Sequence, residues 1–128
     1  MVIDASALLA ILFDEPERDR MERAIAADTL RLVSSVSKLS ASISLTKRHG
    51  PDACARLDRL LSEISATVVT FDEPQADIAR AAFARYGAGR DVAALDWSAC
   101  AAYALAMSEA ESLLFAGGGL GQTDVEAA

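Results

Sequence analysis

The sequence predicts an α/β fold: a mainly parallel central sheet of four to five strands flanked by helices in a three-layer sandwich. Three observations carry this. Short apolar or β-branched runs, at residues 2–4, 30–33, 67–71 and 113–115, alternate with longer stretches of helical period. Strands alternating with helices imply right-handed crossovers onto one sheet. An acidic residue, Asp4, ends the first run, and open α/β sheets bind ligands at the C-terminal ends of their strands. A chain of 128 residues, 52% hydrophobic and 24% charged, can bury a real core, so a single domain over 1–128 is expected.

Each element has its own signal. The strand at 2–4 is followed by a helix over about 6–13 that is apolar nearly all round, which predicts burial against the sheet or a partner. Pro16 suits the first turn of a second helix running to Ala27, with Met21, Ala24 and Ile25 inward. After the strand at 30–33, Ser35 is placed to cap a third helix that stops at His49-Gly50. Val36, Leu39, Ser40 and Ile43 form its expected inward stripe. Pro51 and Asp52 open a fourth helix with Leu57, Leu60, Leu61 and Ile64 on one face. The β-branched run at 67–71 reads as a buried strand. Pro74 starts a fifth helix, which Tyr86-Gly87 closes, and Asp96 caps a sixth over about 97–107. A glycine-rich turn at 117–121 follows the strand at 113–115, and Val125 begins a final edge strand.

Composition narrows the function. A net charge of −7 argues against nucleic-acid binding through a whole-protein field. Cys54 and Cys100 match no metal spacing and read as small buried hydrophobes of a reducing compartment. No apolar run reaches the roughly 18 residues that span a membrane, and no signal segment is evident, so a cytoplasmic protein is expected. His49 is the only histidine, which removes histidine triads and zinc sites. Gly117 to Gly119 lack the spacing and the lysine of a phosphate cradle. Lys47, Arg48, Arg56 and Arg59 read as a solvated basic face, with an RNA-phosphate rim as the alternative.

The segments VIDASALLAIL, DEPE, LSASISL, RYGAGR, ALDWSAC, YALA, LLF and GQTD cover nearly the whole chain. Together they are similar to a PIN domain, in particular a VapC-type toxin ribonuclease. The resemblance implies a Mg²⁺-dependent endoribonuclease, held inactive by a VapB-like antitoxin and expected as a homodimer. It also implies four acidic positions. Asp4 matches the first, but Ser40, Ala99 and Gly119 stand at the other three, with Ala116 where the family has lysine. One carboxylate holds Mg²⁺ only weakly, so the expectation is a toxin homologue with absent or severely reduced ribonuclease activity. Two rivals remain. One is an active ribonuclease with a reduced metal site built from Asp4 and Asp124, the latter at the pocket rim. The other is a non-catalytic pseudo-nuclease that binds antitoxin. Asp4, Asp96 and Asp124 also read as caps or turn residues, and Ser6 as a cap or a phosphate contact near Asp4. The apolar segment Leu8, Leu9, Ile11, Leu12 and Phe13 is the expected partner surface.

Overall fold

The computed structural model describes all 128 residues. Strands β1 (Val2–Ile3), β2 (Leu32–Ser34), β3 (Thr67–Val69) and β4 (Leu113–Leu114) form one sheet in the order β3-β2-β1-β4. Every pairing is parallel, with Val2 opposite both Leu32 and Leu113. The chain runs outward from β1 to β3 and then returns to the far side of β1 as β4. Loops leaving β1 and β4 therefore diverge, and a crevice opens at the C-terminal ends of these two strands.

Alternation along the strands sorts the core into two layers. Met1, Ile3, Val33 and Leu114 face one way, into a cluster with Leu8, Met21, Leu45 and Leu57. These come from α1 (Ala5–Leu12), α2 (Arg18–Ala27), α3 (Ser35–His49) and α4 (Cys54–Glu63). Val2, Leu32 and Leu113 face the other way, against α5 (Glu73–Tyr86) and α6 (Trp97–Glu109). Full burial of a leucine such as Leu45 contributes about 1.5–3 kcal/mol, so these layers hold the strand ends in place. No helix is long and apolar enough to cross a membrane.

Several local expectations shift. Pro16 lies in a turn and α2 begins at Arg18. Ser34, not Ser35, caps α3: its hydroxyl accepts from the Val36 N–H at 3.2 Å. A short 3₁₀ turn, Pro51–Ala53, precedes α4. The β-branched run forms only the three-residue β3, which is the exposed edge of the sheet; such residues suit any pleated surface, and their pattern does not distinguish edge from centre. Near the C-terminus only a single bridge, Leu113 to Ala127, is made, so four strands stand and no fifth. The inward stripe of α3 is Ser37, Ala41 and Leu45, while Leu39 and Ile43 are exposed.

The helix α1 also corrects the expected partner surface. Leu8 and Ile11 are buried in the first core layer, because α1 is packed by α2, α3 and α4 at once. Leu9, Leu12 and Phe13 are half-buried. Basic side chains cover the end of this segment: the Arg48 guanidinium lies 4.2 Å above the Phe13 ring, and Arg56 donates to the Leu12 carbonyl at 2.6 Å. The basic face read from the sequence is thus partly a lid on α1.

Candidate active site

Asp4 is the first residue past β1 and the cap of α1. Its backbone N–H donates to the Leu114 carbonyl at 2.9 Å, which ties it to the end of β4. Ser6 then holds its carboxylate: the Ser6 N–H donates to Oδ2 at 3.0 Å, and the Ser6 hydroxyl donates to the same oxygen. The Ser6 Oγ accepts in turn from the Ala116 N–H at 3.1 Å. One serine therefore links the strand ends that bound the crevice. Asp4 is thus the cap of α1, and Ser6, a residue of the helix's first turn, is a donor to the Asp4 carboxylate and not itself the cap.

The crevice is a cavity of about 330 Å³, and Asp4, Ser40, Ala99 and Gly119 all line it. Four distant segments thus converge on one place. Asp96 lines it as well, but its Oδ1 accepts the Ala99 N–H at 2.8 Å as the cap of α6. Ser44, one turn beyond Ser40 on α3, and Ser98 complete a wall of hydroxyls.

Only 5% of Asp4 is exposed, and its Oδ1 has no hydrogen-bond partner. Burial pushes its carboxyl above the usual range, the bonds from Ser6 and the Ala5 backbone pull the other way, and the Asp96 charge adds to the upward push. The unpartnered, buried Oδ1 is the one feature that suits a cation. The rest of the donor set does not suit Mg²⁺, which needs near-octahedral oxygen ligands at 2.0–2.1 Å, usually with more than one anion. Ala99 and Gly119 supply no side-chain oxygen, Asp96 is engaged in capping, and no group of three or more His, Cys, Asp or Glu side chains is placed to hold a metal. The residues do not fit the ion.

Asp124 stands outside this cavity. Its Oδ1 accepts from the Tyr103 hydroxyl at 2.8 Å, and its Oδ2 lies 3.4 Å from Arg85 Nη1. Its carboxyl is drawn below the usual range, chiefly by the Tyr103 bond. The Tyr103 phenol is pushed up to about 12, mainly by burial and then by Asp124. The rim role expected for Asp124 is replaced by a clasp that fastens the C-terminal segment to α6 and α5. Sequence reasoning missed Ser44, Ser98 and the 93–95 wall of the cavity. The i, i+4 spacing of Ser40 and Ser44 was the available signal for the first; nothing in the sequence marks the wall.

Comparison with known proteins gives a consistent outcome. Residues 1–125 match the PIN domain family. A protein of Mycolicibacterium smegmatis described as Ribonuclease VapC is 44% identical over 127 residues, spanning 99% of this chain and 98% of that one. The solved structure of Mycobacterium tuberculosis VapC20, described as a sarcin-ricin loop cleaving toxin, superposes with a TM-score of 0.81 at 12% identity, covering 99% of this chain and 97% of that one. A chain from a toxin–antitoxin complex of Klebsiella pneumoniae superposes with a TM-score of 0.65 at 17% identity, over 91% of this chain and 85% of that one. At these identities the structural likeness speaks for the fold.

Proposed function

Because this chain belongs to the VapC branch of the PIN-domain family, we propose that it is a toxin homologue that keeps the scaffold of its relatives and lacks their metal-dependent ribonuclease chemistry. The observation that carries this is the donor set of the cavity, in which Asp4 is the only acid at the four positions where the family resemblance places acids.

Hydrolysis of a phosphodiester at neutral pH needs an activated water or another nucleophile, a stabiliser for the phosphorane-like charge, and a proton for the leaving oxygen. In the family a Mg²⁺ site provides the first two. In this cavity no cluster of anions is available to concentrate such an ion. The residues offer no metal-free substitute either. His49, the only histidine, sits at the end of α3 with its ring 5.8 Å from Phe13, and it is not among the cavity residues. Asp4 has one oxygen committed to Ser6, and the other acid of the cavity, Asp96, accepts the Ala99 N–H as the cap of α6. The rival that relied on Asp124 loses its second ligand to Tyr103 and Arg85.

What remains is a binding role. The partner of this class is a VapB-like antitoxin, in line with the toxin–antitoxin complex among the structural relatives. The protein acts in the cytoplasm as a pseudo-nuclease that occupies antitoxin. Self-association into a homodimer fits a different face, where Phe83 and Trp97, 41% and 56% exposed, stand over an apolar groove with Val36. The metal half of the proposal is tested by calorimetric titration of the full chain with Mg²⁺ and with Mn²⁺. No saturable binding at micromolar concentration is expected. Saturable binding that disappears in Asp4→Ala would refute it.

A further inference from the structure

The glycine-rich turn after β4 presents four glycines in three different environments. A Cβ built on Gly117 or Gly118 meets nothing within 4 Å, and one on Gly121 comes no closer than 3.6 Å to the Phe115 ring. Gly119 differs. A Cβ there falls 2.1 Å from the Ala93 carbonyl oxygen, 3.2 Å from the Ala93 carbonyl carbon and 3.2 Å from Leu95 Cδ2. The backbone at 119 has a negative-φ-compatible geometry, since it is absent from the positive-φ glycines, so the need for glycine there is one of space. We propose that Gly119 is a packing glycine that fastens this turn to the 93–95 wall of the cavity, and that the family's fourth carboxylate therefore cannot be rebuilt at position 119 in this chain.

The wall does not yield readily. The Ala93 N–H donates to Asp91 Oδ1 at 2.9 Å. The Ala94 N–H donates to the Asp91 carbonyl at 3.1 Å, the Leu95 N–H donates to the Tyr86 carbonyl at 2.9 Å, and the Leu95 carbonyl accepts from the Ala88 N–H at 2.9 Å. Ala93, Leu95 and Leu120 are buried together in the second core layer. The obstacle is a backbone oxygen in this tied segment, with no flexible side chain to swing aside. A side chain at 119 must drive apart two packed backbone segments, and close-packed interiors resist such overpacking. The sequence substitution and the loop position are thus one change: the turn has closed over the place where a metal-binding carboxylate would project. This deepens the metal-free reading above but rests on packing alone.

Thermal melts of the full chain decide it. Gly119→Ala is expected to lower the melting temperature by about 5 °C or more, or to prevent folding, while Gly118→Ala and Gly121→Ala stay within about 2 °C of the parent. A Gly119→Ala protein that melts with the parent overturns the inference. Equal losses at all three positions overturn it too, because they would point to turn flexibility and not to close approach. A second arm compares Ser40→Glu/Ala99→Asp with and without Gly119→Asp. Adding Gly119→Asp is expected to lower the melting temperature and to add no Mn²⁺-dependent rise; a larger Mn²⁺ response in the triple variant contradicts the inference. The parent's own response to Mn²⁺ bears only on the metal-free reading, so the two can fail separately.

Discussion

Replacing Asp4 by asparagine is expected to stabilise this protein at neutral pH in the absence of metal. The charge on Asp4 is buried, with Oδ2 held by Ser6 and Oδ1 left without a partner. A desolvated, unpaired polar oxygen costs about 1–3 kcal/mol. Asparagine places its carbonyl oxygen on the Ser6 donors and puts a neutral amide where the charged carboxylate has an unpartnered oxygen, so the desolvated charge is removed. It weakens the Ser6 bonds, since charge-assisted bonds are stronger than neutral ones, by about 1 kcal/mol. The remainder is about 1 kcal/mol in favour of the variant, or roughly 3–6 °C in a domain of this size. The pH dependence gives a second handle. Burial raises the folded-state pKa of Asp4 above its unfolded value, so the folded protein holds the proton more tightly. Its stability cost is absent below the unfolded value of about 3.9 and complete above the folded one. The gap between variant and parent should therefore close as the pH falls toward about 4. Melts of both proteins in chelator across pH 4–8 measure it. A variant less stable than the parent at pH 7, or a gap that does not change with pH, would refute the reasoning.

Tyr103→Phe removes the 2.8 Å bond to Asp124 while leaving the Arg85 pair, and should cost about 1 kcal/mol because Asp124 is exposed and its charge is screened; a melt unchanged to within a degree would show that the C-terminal clasp is ornamental. Trp97→Ser removes the most exposed aromatic beside the α5–α6 groove. Sedimentation should find the parent dimeric at micromolar concentration and the variant monomeric, and a monomeric parent would remove the homodimer.

The layered fold was legible because strand and helix periods differ, and short apolar runs separated by amphipathic stretches leave few topologies. The convergence of residues 4, 40, 99 and 119 was legible only through the family resemblance; no local pattern links a β-strand end to the second turn of a helix. Three readings failed for identifiable reasons. Leu8 and Ile11 looked too apolar for an ordinary helix, yet α1 is surrounded on enough sides to bury both. On α3, the stripe Val36, Leu39, Ser40 and Ile43 followed helical spacing, whereas the face that packs inward carries Ser37, Ala41 and Leu45 and leaves Leu39 and Ile43 exposed. Asp124 sits beside a polar run that suggested a rim, but its partners Tyr103 and Arg85 lie 21 and 39 residues away, and a single sequence gives no sign of such pairings. The closure at Gly119 is equally invisible, because Ala93 contributes its carbonyl oxygen and any residue has one.

The central claim, that this cavity does not support metal-dependent hydrolysis of RNA, is tested most directly by incubating the purified full chain with structured RNA in Mg²⁺ and in Mn²⁺ beside the Asp4→Ala variant. The account expects no cleavage above buffer from either protein, with identical RNA profiles in the presence and absence of chelator. Cleavage by the parent that chelator suppresses and that Asp4→Ala abolishes would contradict it.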